Sequence, residues 1–101
     1  MRTLMFLQFP IEPFNTLTRD GSVGAKMKAI LDDIKPESAY FTAIDGHRGG
    51  VLVVDIQNAS QIPALAEPWF LTFDAQVDFR IAMTPQDLGQ ADLDSLGKKW
   101  A

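Results

Sequence analysis

Cysteine is absent from the 101 residues and histidine occurs once, which removes disulfides, thiolate nucleophiles and sulfur-based zinc sites at the outset. A histidine–carboxylate metal site would need more ligands than His47 and scattered acids, so no metal is expected. Positive charge is also scarce: nine Lys and Arg stand against thirteen Asp and Glu, for a net charge of −4 and a pI near 4.7. Lys26, Lys28 and Lys35 lie on one segment and Lys98 and Lys99 at the end, with no broad basic face, which argues against a nucleic-acid partner. No apolar run approaches the roughly 18 residues of a membrane span. The opening "MRTLMFLQFPIEPF" is interrupted by Gln8 and Pro10 before it could form a signal-peptide core, and it reads as a first strand. A cytoplasmic protein with no membrane partner is expected.

What is present has the balance of an ordinary folded domain, 47% hydrophobic and 22% charged, in a length that holds one core. A single domain over residues 1–101 is expected. "GSVGAKMKAILDDIKP" places Val23, Met27, Ile30, Leu31 and Ile34 on one helical face and ends at Pro36. "SAYFTAID" and "GVLVVDI" are β-branched and aromatic runs, joined through Gly46, Gly49 and Gly50 as an antiparallel hairpin. "ASQIPALAEPWFLTF" reads as a helix with Ser60 as N-cap and Pro63 in its first turn, kinked or split after Ala66 by Pro68. "QVDFRIAMT" alternates strictly, with Val77, Phe79, Ile81 and Met83 toward a core and Asp78 and Arg80 away from it. "TPQDLGQADLDSLGKKW" reads as one last helix, capped by Thr84, with Leu93, Leu96 and Trp100 as an apolar stripe.

Strand, helix, strand, strand, helix, strand and an extra C-terminal helix make an α+β chain of ferredoxin-like βαββαβ order. Its four-stranded antiparallel sheet carries both long helices on one face, because each crossover is right-handed. The other face is left bare. "GHRGGVLVVDI" followed by "IPALAEPWFLTFDAQVDFRIAMTPQDL" resembles a group of small bacterial proteins, themselves of unassigned function, in the dimeric α+β barrel (ferredoxin-like) superfamily. The resemblance covers nearly the whole chain and is one of pattern. It implies a homodimer that joins bare sheet faces into a barrel, with a small organic molecule bound beside the sheet. That superfamily also holds muconolactone isomerase and small cofactor-independent monooxygenases. No active-site motif of those enzymes surrounds His47, so no catalytic residue is carried over, and no cofactor is expected.

Three groups of residues could carry chemistry. Asp45, His47 and Arg48 cluster in "DGHRGG", where imidazole could act as a general base and arginine could hold an anionic ligand. The simpler reading is a polar, glycine-rich connection with solvated side chains. Glu67 and Trp69 in "AEPWF" could line a pocket between the split helix and the sheet, or Trp69 could be core and Glu67 a solvated helix end. Tyr40 and Arg80 share the bare face and could meet there, whereas the plainer role for Arg80 is an ion pair with an aspartate such as Asp55.

Other uses of this topology fail on inspection. "RGGVLVVDI" has none of the exposed third-strand aromatics that stack RNA bases, and "RDGSVGAK" lacks the spacing of a phosphate-binding loop. Two functions therefore remain as expectations: a non-catalytic binder of a small organic molecule, or a cofactor-independent isomerase or monooxygenase acting on a small cyclic or anionic compound through His47, Tyr40 or Arg80.

Overall fold

A computed structural model describes residues 1–101. Alternation along Arg2–Gln8 (β1) buries Thr3, Met5 and Leu7 on one side and half-exposes Leu4, Phe6 and Gln8 on the other. Two helices follow, Ile11–Arg19 (α1) and Val23–Ile34 (α2). Then come Ser38–Ile44 (β2), His47–Asp55 (β3), a short 3-10 turn at Ala59–Gln61, Ile62–Phe73 (α3) and Gln76–Ile81 (β4). The strand order is β2-β3-β1-β4 and every neighbouring pair is antiparallel, which is the ferredoxin-like arrangement.

The core lies between the sheet and α1–α3. Met5, Leu7, Leu52 and Val54 project from the central strands onto Ile30 of α2 and Trp69 and Phe73 of α3, and Phe9 closes the end of β1. Phe9, Phe14, Trp69 and Phe73 form one aromatic cluster, with ring centroids 5.2–6.1 Å apart. On the opposite face the register aligns Ser38, Val53, Leu4 and Arg80 in one row, and Tyr40, Val51, Phe6 and Asp78 in the next. No helix covers those rows.

Four expectations are corrected here. Helix α1 is additional: Pro10 and Pro13 had read as extended chain, yet Pro13 opens the regular helix and places Phe14 and Leu17 against the core. Pro68 does not split α3, which runs unbroken from Ile62 to Phe73. The loss of one intrahelical hydrogen bond is outweighed by the burial of Ala66, Trp69 and Phe73 on the same helix. Ser60 lies inside the 3-10 turn, which begins after Asn58, and the Gln61 side chain accepts the Asn58 N–H at 3.1 Å. The last helix is two, Pro85–Gln90 (α4) and Leu93–Lys99 (α5), because Asp92 takes a positive φ of 53° and its carboxylate accepts the Ser95 hydroxyl at 2.6 Å. Thr84 does cap α4, in a reciprocal pair with Asp87.

Neither α4 nor α5 buries a residue. The fourteen buried residues all lie between Thr3 and Ala75, so the segment after β4 stands away from the core as an arm and stretches the molecule to 59 × 28 × 19 Å. No helix is long and apolar enough to cross a membrane.

Candidate functional site

The β2–β3 hairpin turns on two residues, Asp45 and Gly46, with positive φ of 51° and 75°. That geometry matches the twist of the strands and suits Asp-Gly. Gly49 and Gly50, expected in the connection, are instead buried inside β3, and each has a steric reason to lack a side chain. A Cβ on Gly50 would sit 2.9 Å from Cδ1 of Phe41, and one on Gly49 would sit 2.6 Å from the Leu7 carbonyl oxygen. The missing Cβ of Gly50 therefore lets the Phe41 ring pack closely against the neighbouring strand.

That ring is one wall of a cleft of about 610 Å³, open to solvent, between the hairpin and helices α1 and α2. Phe9 and Phe14 line it from the core side, Met27 from α2, and His47 and Arg48 from the start of β3. Its volume is that of a small-ligand site. Arg48 pairs with Ala43 on the helix-bearing face, and its guanidinium carbon lies 4.5 Å from the centroid of the Phe14 ring. None of the five ion pairs includes Arg48. Glu12, whose charge interacts with Arg48, bonds elsewhere: its carboxylate accepts the Thr16 hydroxyl at 2.7 Å and N–H at 3.1 Å and faces Arg19 at 3.9 Å. Those bonds to Thr16, with smaller contributions from Arg19 and Arg48, hold the Glu12 carboxyl below the usual carboxylate range.

A second, smaller cleft of about 370 Å³ lies on the bare face, lined by Phe6, Gln8, Ile44, Gln76, Asp78 and Arg80 among others. Arg80 lies over the Phe6 ring at 4.5 Å and is neutralised by Asp78, two residues away on its own strand, at 3.2 Å. Asp55, suggested as its partner, instead meets the N-terminal ammonium at 2.9 Å.

The sequence candidates are dispersed. His47 begins β3 rather than riding in the turn, is exposed on the bare face opposite Ile44, and its Nδ1 lies 3.3 Å from the Gln8 side-chain amide and 3.1 Å from the Asp45 carbonyl oxygen. Tyr40 and Arg80 share the bare face but sit on its two opposite edge strands, three strand spacings or about 14 Å apart, so they do not meet. Trp69 is fully buried in the aromatic cluster and cannot touch a ligand directly. Its indole N–H has no acceptor, and it backs the cleft one layer behind Phe9. Glu67 is exposed on α3 and borders neither cleft, because the helix that was to open beside it is unbroken. Of the seven candidates, Arg48 lines the larger cleft from the helix-bearing face, His47 borders it while its side chain lies on the bare face, and Asp45 and Arg80 line the smaller.

The cleft residues missed from sequence are Phe9, Phe14, Met27 and Phe41. Phe14 carried a signal: Pro13 in a first helical position, with Phe14 and Leu17 three apart, marks a short helix that presents an aromatic ring.

No protein-family model and no curated protein matches the chain. Among solved structures, the de novo designed protein Ferredog-Diesel is similar over 79% of this chain and 83% of its own, with a TM-score of 0.43 and 7% identity.

Proposed function

We propose that this protein is a cytoplasmic binder of a small organic anion with an apolar or aromatic body, held in the cleft between the β2–β3 hairpin and helices α1 and α2. The observation that carries the reading is Arg48: a guanidinium outside every ion pair, stacked on Phe14 at the mouth of an aromatic-lined cleft. Arginine presents a planar fork suited to a carboxylate, and the rings of Phe9, Phe14 and Phe41 supply the apolar wall. Binding is favoured over turnover because His47, Tyr40 and Arg80 do not converge on one reacting atom.

The same reading makes the protein a homodimer of the dimeric α+β barrel type, two copies joining their bare sheet faces. What supports it is the make-up of that face, where Leu4, Phe6, Tyr40, Val51 and Val53 lie uncovered by any helix.

Calorimetric titration with benzoate and with its uncharged counterpart benzamide tests the ligand class. Benzoate is expected to bind at least ~10-fold more tightly than benzamide, with the difference abolished in Arg48→Gln, as the loss of a charge-assisted hydrogen bond would produce. Equal affinities for the two compounds, or an Arg48→Gln protein that still prefers benzoate, would refute the anion reading.

A further inference from the structure

The C-terminal arm is not folded onto anything. Its helices α4 and α5 span six and seven residues, well under the roughly 12 residues at which an isolated helix becomes even marginal in water. Short helices of this kind persist when an apolar face is packed. The arm has such a face: Leu88, Leu93, Leu96 and Trp100 are all exposed, Trp100 at 76%, and Ile81 and Met83 extend it to the root of the arm. Its own body offers no cover, since nothing in either helix is buried. The radius of gyration, 17.1 Å, exceeds the ~13 Å of a compact chain of this length.

We infer that the arm, Met83 to Trp100, is a clasp that docks on a second copy of this chain. The inference rests on the sheet-face homodimer proposed above and supplies what that dimer lacks. Four strands of about seven residues make a face of roughly 400 Å², so two joined faces bury about 800 Å². A standard stable interface buries ~1,600 Å², and 800 Å² is the scale of a lattice contact. The five apolar side chains of one arm, Met83, Leu88, Leu93, Leu96 and Trp100, add on the order of 100 Å² each when covered, and a two-fold arrangement doubles the gain. Sheet faces and arms together therefore reach the stable range, and neither does alone.

Position points the same way. The Ala82 N–H donates to the Arg2 carbonyl at 2.9 Å, which carries the β4–β1 ladder one residue past the strand. The root of the arm is thus fixed at the open edge of the sheet, beside the row that holds Leu4 and Arg80. An arm leaving from that edge lies next to any copy seated on the bare face. Two-fold symmetry then gives each copy one arm to extend and one to receive.

Sedimentation and acrylamide quenching of the full chain across nanomolar to micromolar concentrations test this, because Trp69 is buried in the body while Trp100 reports on the arm. The wild type is expected to reach twice the 11.2 kDa chain mass, with tryptophan protection rising in step with mass. Leu96→Ala/Trp100→Ala should raise the dimer dissociation constant ~30-fold or more, with unchanged circular dichroism of the body, as loss of a buried aromatic anchor does. Val53→Asp, on the sheet face, should yield a monomer in which Trp100 is open to quencher. A double variant that dimerises as tightly as wild type would overturn the clasp while leaving the sheet-face dimer standing. Protection of Trp100 in a Val53→Asp monomer would overturn it by placing the arm on its own body. A wild type that stays monomeric at micromolar concentration would overturn both.

Discussion

The three glycines around His47 look alike in the sequence and differ in what they do. Gly46 needs its positive φ of 75° and has open space around its α-carbon, whereas Gly49 and Gly50 have no room for a side chain. Gly46→Ala should therefore cost about 1 kcal/mol, the strain of a left-handed conformation on a residue with a Cβ. Gly49→Ala should cost more, ~2 kcal/mol or above, because the contact is with a backbone oxygen that cannot swing away. Urea midpoints rank the two, and equal losses would contradict the geometry. His47→Ala should change stability by less than ~0.5 kcal/mol, as exposed substitutions do, and a loss above ~2 kcal/mol would mean a buried, bonded imidazole. Acid sensitivity is also set residue by residue. Glu12 is held below the usual carboxylate range by the Thr16 hydroxyl and N–H, Asp20 by Ser22, and Asp87 by the Thr84 N–H and hydroxyl. Each folded carboxyl is depressed relative to the unfolded chain, so the unfolded state binds more protons as pH falls through ~4. The urea midpoint should accordingly decrease below about pH 4, and a midpoint constant down to pH 2.5 would contradict these bonds. His47 and Arg48 were legible as neighbours in a polar stretch. Their separation to opposite faces of β3 follows from a two-residue turn that starts the strand at position 47.

At the scale of elements, periodicity locates α2, β4 and the body of α3, because each turns one face to the core, although in β4 only Val77 and Phe79 reach it and Ile81, with Met83 beyond the strand, is exposed. The strands β1 and β2 are located by their apolar, β-branched and aromatic runs, and β2 buries no residue. Pro36 does follow the end of α2, whereas proline misleads in α1 and α3. In α1, Pro13 starts the regular helix, and in α3 Pro68 sits within it. A proline's missing N–H removes one bond, while the aromatic burial of the adjacent Trp69 and of Phe73 is worth several kcal/mol. Since Pro68 still forgoes that bond, Pro68→Ala should raise the unfolding free energy by about 1–3 kcal/mol. An unchanged or lowered urea midpoint would mean that the half-buried ring contributes packing that offsets the loss. The register between strands could not be read from one-dimensional alternation, which is why Tyr40 and Arg80 were considered together although the sheet places them on opposite edges. The cleft itself was illegible for the same reason. Phe14, Met27 and Phe41 come from three elements and Phe9 from the residue after β1, and only the packing of α1 and α2 against the hairpin brings them to one place.

For the whole molecule, the two faces of the sheet differ in chemistry. The helix-bearing face carries the larger cleft with Arg48 unpaired at its mouth, and the bare face carries Arg80 already neutralised by Asp78 above Phe6. On this account the bare face is for association, with the arm completing it, and the cleft is for the ligand. Backbone amide NMR separates the two places directly. Titration of the full chain with benzoate should shift the amide signals of Gly46, Arg48 and Gly49 together with those of Phe14 and Phe41, while Gln76, Asp78 and Arg80 stay in place. Shifts confined to Gln76, Asp78 and Arg80, or no saturable shift at millimolar benzoate, would contradict the claim that this protein holds a small organic anion between its hairpin and its helices.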